Sequence, residues 1–295
     1  MTKSVNLPIG EALQWAAQTL QNSEFADARI DARVLLQHVL KCDRTFLYTF
    51  PEKRLQSGQI SAFKEAVNRR LFGEPVAYIT GEKEFWGLSL TVNPSTLIPR
   101  ADTEVLIELA LETITDKHIS VLDLGTGTGA IALALGSEKP DWQILGVDRV
   151  KEAVALAEHN RQRLGIGNVT FVRSNWFSAV QPKRYELIVS NPPYVESDSE
   201  YLGQGDLRFE PQSALTSHNE GMADIAKIID IAPNFLANHG WLMIEHGYKQ
   251  GPSVQRSMRK RGFKNVDTRS DLQQHPRVTF GCWSCENTLL GEHTT

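Results

Sequence analysis

Apolar residues up to Gly73 recur at helical spacing. Leu13, Ala16, Ala17 and Leu20 make one stripe, Ile30, Val34, Leu35, His38 and Val39 a second, and Ile60, Phe63, Val67 and Leu71 a third. Residues three and four apart share one helix face, so three amphipathic helices are expected. Asn6 and Pro8 stand where the N-cap region and first turn of the first helix should fall. Gly73 supplies a stop after the third. His38 lies on the apolar face and reads as a packed histidine rather than a ligand.

The pattern changes over 73–100, where Gly, Pro and aromatic residues break the helical period. Leu88, Leu90 and Val92 alternate between the turn-formers Gly87 and Asn93-Pro94, which predicts a short β-hairpin. Leu97-Ile98-Pro99-Arg100 then leads into a helix from about Thr103. From residue 119 short apolar runs alternate with helical stretches. Strands are predicted at 119–124, 143–147, 169–172, 187–189 and 241–244. Helices are predicted after 129, at 151–164 and at 225–236. Buried strands alternating with helices imply a mostly parallel sheet covered on both faces. The fold class is therefore α/β, and the expected division is a helical domain at 1–73, a hairpin linker at 74–100, a catalytic domain at 101–285 and a polar tail at 286–295.

Composition changes little in this picture. A chain of 295 residues favours two domains. Hydrophobic content of 41% and charged content of 22% are ordinary for a globular protein. A net charge of −4 tilts against a protein that lives on nucleic-acid backbones, which need clustered Lys and Arg. No run approaches the ~20 apolar residues that span a bilayer, and 1–10 lacks a signal-peptide core, so a cytoplasmic location is expected, with no membrane partner. Cys42, Cys282 and Cys285 form no disulfide framework. Cys282-x-x-Cys285 has no second pair or His beside it, so a final strand explains it better than a metal.

The first chemical signal is Asp123-Leu124-Gly125-Thr126-Gly127-Thr128-Gly129, placed directly after a strand and opening a helix. Glycines let the backbone turn sharply and let a ligand approach the main chain. Open α/β sheets bind ligands at the carboxyl ends of their strands. Asp148 ends the next strand, where a carboxylate can accept hydrogen bonds from both hydroxyls of a ribose. The spacing Gly125-x-Gly127-x-Gly129 differs from the G-x-G-x-x-G of dinucleotide sites, so an adenosine-containing ligand without a seated pyrophosphate fits it.

The second signal is Asn191-Pro192-Pro193-Tyr194, directly after Leu187-Ile188-Val189-Ser190 and therefore at the same sheet edge. The prolines fix φ and remove backbone donors, so the segment offers acceptors. The Asn191 side-chain oxygen and the Pro192 carbonyl can grip the two N–H groups of a planar NH2. Such a nitrogen is a poor nucleophile because its lone pair is delocalised. Two acceptors favour its pyramidal form and stabilise the positive charge that develops on attack. Held about 3–3.5 Å from an electrophilic methyl, it needs no strong general base. Tyr194 can pack its ring against the flat group. The bland reading is a rigid Pro-Pro turn.

Other residues carry two readings each. Trp176 follows the third strand and flanks an adenine or simply packs, with Asn175 beside it. Arg100 and Glu104 shape the pocket or form a solvated ion pair. Phe85-Trp86 closes the site or fills the core. Glu245-His246 ends the fifth strand, but the mechanism requires no His. Arg259-Lys260-Arg261 complements a helix C-terminus.

These motifs, in this order, resemble the HemK/PrmC family, the bacterial glutamine-N5 methyltransferases of peptide chain release factors. The resemblance extends through Gly73-Glu74-Pro75-Val76-Ala77-Tyr78-Ile79 with Gly81, through Leu97-Ile98-Pro99-Arg100 with Asp102-Thr103-Glu104, and through the two motifs above. It continues in Arg208-Phe209-Glu210-Pro211 and Gly221-Met222-Ala223-Asp224. It implies an N-terminal helical bundle, a hairpin linker and a seven-stranded, Rossmann-like methyltransferase sheet. The implied substrate is the glutamine of the Gly-Gly-Gln loop in class-I release factors, docked in part by the helical domain. S-adenosylmethionine is implied at Gly125, Thr126, Gly127, Thr128, Gly129 and Asp148, with Trp176 beside the adenine and no metal. Asn191 to Tyr194 would hold the glutamine amide, Asn191 also lying near the methyl donor. Asn175 departs from the acidic residue that relatives often carry, which weakens that adenine contact. A monomer is expected.

Three other readings compete. An adenine-N6 DNA or RNA methyltransferase poses the same nitrogen problem but must also flip its base and read its flanks, and no domain for that is evident. A non-catalytic adaptor sits poorly with the intact loop, Asp148 and Asn191. A nicotinamide-dependent dehydrogenase sits poorly with the glycine spacing.

Overall fold

The computed structural model describes residues 7–23, 27–203 and 205–284. Asn6, Cys285 and the polar tail lie outside the described residues. Two compact units result: Met1–Glu82 with Val92–Pro94 and Glu200–Glu210, and Lys83–Thr91 with Ser95–Ser199 and Pro211–Thr295.

The first unit is helical. It contains α1 (Ile9–Leu20), α2 (Ala28–Leu40), α3 (Arg44–Thr49), α4 (Ser57–Leu71) and α5 (Val76–Thr80). The Asp27 and Asp43 side chains cap α2 and α3 by accepting from the Ile30 and Phe46 N–H groups at 3.3 and 2.7 Å. The core joins Ala12, Ala16 and Leu20 to Leu35, Leu36, Phe63 and Val67. On α2 the buried stripe is rotated from the expected one. Ala32, Leu35 and Leu36 face inward, while Ile30 is 47% exposed and His38 is exposed rather than packed. On α4 it is Arg70, not Leu71, that turns inward. Arg70 donates through Nε to Asp31 at 2.7 Å and through Nη1 to Asp206 at 2.9 Å, so each charge has a partner. The helices α3 and α5 lack enough turns to show a period, and the hydrophobic pattern missed both.

The second unit opens with the hairpin of β1 (Glu82–Phe85) and β2 (Leu88–Thr91), followed by α6 (Glu104–Thr113). Then come β3 (Ser120–Leu124), α7 (Ala130–Glu138), β4 (Gln143–Asp148), α8 (Lys151–Leu164), β5 (Val169–Arg173) and β6 (Tyr185–Ser190). A short pair, β7 (Val195–Glu196) and β8 (Thr216–Ser217), flanks α9 (Gln212–Leu215). The chain continues through α10 (Ala223–Ile231), β9 (Leu236–Glu245), α11 (Gly251–Arg261), β10 (Lys264–Ser270) and β11 (Pro276–Trp283). The seven-stranded sheet has the order β10-β11-β9-β6-β3-β4-β5. Its central strands run parallel, and β11 and β10 add antiparallel at one edge.

Alternate strand residues feed two cores, one on each face. Val121, Leu187, Val189 and Met243 join α6 and α7 on one side. Leu122, Leu124, Ile188, Leu242 and Ile244 join α10 and α11 on the other. Two-sided burial explains why these strands read as continuous apolar runs. The helix expected over 225–236 stops at Ile231, because Pro233 cannot donate to it and a 3-10 turn follows. The last parallel strand is correspondingly longer than expected, starting at Leu236.

Candidate active site

Chemistry gathers at the carboxyl ends of four parallel strands, β3, β4, β5 and β6. Leu124 on β3 pairs with Val147 on β4 and with Ser190 on β6, so the segments that follow leave the sheet at one level. The Ser190 hydroxyl donates to the Leu124 carbonyl at 2.8 Å and ties β6 to β3 at that point. An open cleft lies above this edge.

The glycine loop forms one wall. Gly125, Gly127 and Gly129 have φ of 74°, 54° and 84°, the left-handed region that favours glycine. The Gly125 and Thr126 N–H groups both donate to the Val147 carbonyl at 2.9 Å. The Thr126 hydroxyl donates to Asp123 at 2.6 Å. Burial pushes Asp123 up to about 7, and its other oxygen is buried without a partner. Asn160 on α8 donates to the carbonyls of Thr128 and Thr91 at 3.0 Å and accepts from the Thr91 N–H at 2.8 Å. One buried amide therefore joins the hairpin end to the loop.

Asp148 stands on the cleft wall and accepts from the Gly127 N–H at 3.0 Å and the Val150 N–H at 2.9 Å. A carboxylate has about four lone-pair sites, so two remain for a ligand. Trp176 lies over Gly125, where a β-carbon would come within 3.4 Å of its ring. Its Nε1 donates to Asp224 at 3.2 Å, and Asp224 in turn accepts from the Ser217 hydroxyl at 2.8 Å. Backbone open to close approach, a carboxylate with free lone pairs and a ring edge-fixed by Asp224 suit the adenosine of S-adenosylmethionine.

Asn191 and Pro193 line the same cleft beside the loop. The Asn191 Nδ2 donates to the Thr103 hydroxyl at 3.1 Å, which leaves Oδ1 as an acceptor. The segment is held from behind: Gln250 donates to the Tyr194 carbonyl at 3.0 Å and the Glu220 carbonyl at 2.8 Å.

Of the expected residues, Gly125, Thr126, Gly127, Thr128, Asp148, Trp176, Asn191 and Pro193 share the cleft wall, with Asn175, Arg100 and Phe85. Gly129 packs beneath the loop, where a β-carbon would sit 2.9 Å from Phe171. Pro192 is buried behind the wall. Tyr194 does not face the cleft; its ring packs on the sheet core and its hydroxyl donates to Glu245 at 3.3 Å. Burial and the neighbouring Glu245 raise its pKa. Glu104 accepts from the Trp86 N–H at 3.1 Å instead of meeting Arg100. The His246 ring bonds the Thr279 hydroxyl at 2.7 Å within β9 and β11, away from the cleft. Thr103 and Asp224 were legible inside the family motifs, but nothing in the spacing assigned them partners.

Two domain profiles match the chain: the PrmC N-terminal domain over 11–81 and the methyltransferase small domain over 101–204. The release factor glutamine methyltransferase of Shewanella oneidensis is 49% identical over 276 residues, covering 93% of this chain and 96% of the relative. That of Escherichia coli is 46% identical over 269 residues, covering 91% of this chain and 96% of the relative. A methyltransferase structure from Pyrococcus furiosus superposes with a TM-score of 0.52 at 18% identity, covering 75% of this chain and 99% of its own. With identity of this extent across both units and the catalytic sheet in place, the chain belongs to the release factor glutamine methyltransferase family.

Proposed function

We propose that the chain transfers a methyl group from S-adenosylmethionine to the side-chain amide nitrogen, N5, of the Gly-Gly-Gln glutamine in class-I peptide chain release factors. The observation that carries this reading is the placement of Asn191: it lines the cleft beside the glycine loop, with its NH2 engaged by Thr103 and its oxygen available. S-adenosylmethionine supplies an electrophilic methyl on a sulfonium. Gly125 to Thr128, Asp148 and Trp176 bind and orient it, and Gly129 shapes the loop from below. Asn191 Oδ1 and the Pro192 carbonyl accept the two amide protons and return lone-pair density to the nitrogen. Acceptors fixed in advance stabilise positive charge as it develops there. Tyr194 acts from behind, anchoring the segment through Glu245 rather than stacking on the substrate. The helical unit docks the release factor. The enzyme works as a monomer in the cytoplasm, without nucleic acid or membrane; the net charge of −4 supports this reading, as does the lack of a membrane-length apolar helix among the described residues.

Mass spectrometry tests the proposal. The protein is incubated with labelled methyl donor, a release factor and duplex DNA, and the label is mapped. Label on the release-factor glutamine is expected. Label on DNA adenine alone would overturn the reading. Asn191→Ala is expected to abolish transfer while retaining cofactor affinity.

A further inference from the structure

Gly221-Met222-Ala223-Asp224 has no task in the transfer chemistry, yet its last residue lines the cofactor cleft with Trp176. Asp224 stands in the first turn of α10, where a negative side chain suits the positive end of the helix dipole. Both of its oxygens are used. Oδ1 accepts from the Trp176 indole N–H at 3.2 Å, and Oδ2 accepts from the Ser217 hydroxyl at 2.8 Å. The Asp224 N–H returns a bond to Ser217 Oγ at 3.1 Å, so serine and aspartate grip each other reciprocally. Ser217 is buried on β8, where it pairs with Glu196 of β7. The carboxylate is therefore fixed independently of the indole.

Trp176 needs such an anchor. Its φ is +53°, in the left-handed region that is costly for any residue with a β-carbon. The buried Ser174 hydroxyl donates to the Trp176 carbonyl at 2.7 Å and accepts from the Ala179 N–H at 2.9 Å, which pins the backbone of this turn. The ring itself is only half-buried. An indole has a single N–H and no acceptor, so Asp224 takes up its whole hydrogen-bonding capacity. The six-membered part of the ring lies against Gly125, where a β-carbon would come within 3.4 Å of it. We propose that Asp224 is a positioning residue for cofactor binding: through the indole N–H it holds the Trp176 ring against the glycine loop, ready to receive the adenosine of S-adenosylmethionine. This inference rests on the reading of the cleft as the S-adenosylmethionine site.

A ring already held costs the ligand no ordering when it binds. Without the bond the ring samples other rotamers, and apparent affinity falls with the fraction of protein that keeps the binding geometry. Three substitutions isolate the bond. Asp224→Ala removes the acceptor. Asp224→Asn keeps an oxygen for the indole, and its NH2 can donate to Ser217 Oγ. Trp176→Phe keeps a ring and removes the N–H. A direct contact between Asp224 and the ligand would survive Trp176→Phe, whereas a role through the indole would not.

Two measurements test the anchor. In titration calorimetry with S-adenosylhomocysteine, Asp224→Ala should weaken binding about 10-fold or more, the loss expected of one hydrogen bond to a charged group. Asp224→Asn should recover most of that loss. In the Trp176→Phe background, Asp224→Ala should cost less than about 3-fold more, because the bond is already gone. An Asp224→Ala protein that binds like the parent, an Asp224→Asn protein as weak as Asp224→Ala, or a full penalty in the Trp176→Phe background would overturn the inference. The second measurement needs neither ligand nor an altered Asp224. The chain has six tryptophans, and the 15N indole signal of Trp176 is assigned by its loss in Trp176→Phe. In the unaltered protein its N–H should exchange slowly with deuterated solvent despite the half-buried ring, and Asp224→Ala should make that exchange fast. Exchange as fast as that of a free indole in the unaltered protein would also overturn the inference. Failure of the unaltered protein to bind S-adenosylhomocysteine would sink the reading of the cleft instead, and the indole signal would still decide whether Asp224 holds the ring.

Discussion

Gly221 lies close against the backbone of Tyr194, in the segment proposed as the substrate clamp, so Gly221→Ala is a sharp test of how that segment is held. Its φ is +77°, and a β-carbon there would run directly onto the Tyr194 carbonyl oxygen. The Tyr194 carbonyl carbon and Gln250 Nε2 would each lie 2.7 Å away. Two of these three atoms are backbone and cannot swing aside. Left-handed geometry costs an alanine about 1–2 kcal/mol. Overpacking a filled site adds about 1–3 kcal/mol. For a unit of this size each kcal/mol lowers Tm by about 2–4 °C, so a fall on the order of 10 °C is expected. The Tyr194 peptide must also retreat by roughly 1 Å, and a displacement of that size at reacting groups costs on the order of 100-fold in rate. The glycine loop is untouched, so affinity for S-adenosylhomocysteine should stay near that of the parent. Scanning calorimetry, titration calorimetry and single-turnover kinetics read the three quantities. A variant with unchanged Tm and unchanged rate would refute the claim that close backbone approach holds the clamp.

Two further expectations follow from the site. Asp148→Ala removes the acceptor of the Gly127 and Val150 N–H groups as well as the carboxylate on the cleft wall, and hydrogen bonds to a charged group contribute about 1.5–3 kcal/mol. Cofactor affinity should fall on the order of 10–100-fold by titration calorimetry, and an unchanged affinity would contradict the role assigned to Asp148. Asp123 rises from 3.8 to about 7 on folding, so the folded state holds its proton more tightly than the unfolded one. Its contribution to stability is fully present below its unfolded pKa and is lost as pH rises through the folded value. In urea titrations Asp123→Asn should therefore gain on the parent as pH climbs from about 4 to 7 and hold that gain above it; a difference constant across this window would show that Asp123 does not titrate as buried.

The strands were legible because they are buried on both faces. Val121, Leu122 and Leu124, broken only by Asp123, and Leu187 through Val189 appear as apolar runs, and the motifs after them fall at the sheet edge by topology alone. Helix α8 was legible end to end, since its charges and apolar positions alternate cleanly and Gly165 closes it in the left-handed region. What escaped was set by tertiary contact or by length. Arg70 turns inward only because Asp31 and Asp206 are there to receive it. His38 and Ile30 sit on a helical period that fits two adjacent faces, and packing against α1 and α4 selects the other one. Tyr194 was read as a stacking ring because the carboxyl that claims its hydroxyl lies 51 positions away. Thr103 was likewise silent: its partner Asn191 lies 88 positions downstream.

The pairing of Leu124 with Ser190 makes the sheet a ruler for the reaction. The two residues are 66 positions apart in the chain, yet adjacent strands lie only about 4.8 Å apart. In the proposed complex, the span from the cofactor loop to the 191–194 segment is thus set by a strand register. Between β3 and β6 the connections at 139–142 and 165–168, which do not line the cleft, can change length without altering that span, whereas those at 125–128, 148–150 and 174–176 form its wall. One residue inserted within β6 itself would turn Asn191 to the opposite face of the sheet. Variation in the loops away from the cleft should therefore be cheap, and variation in the length of these two short strands costly.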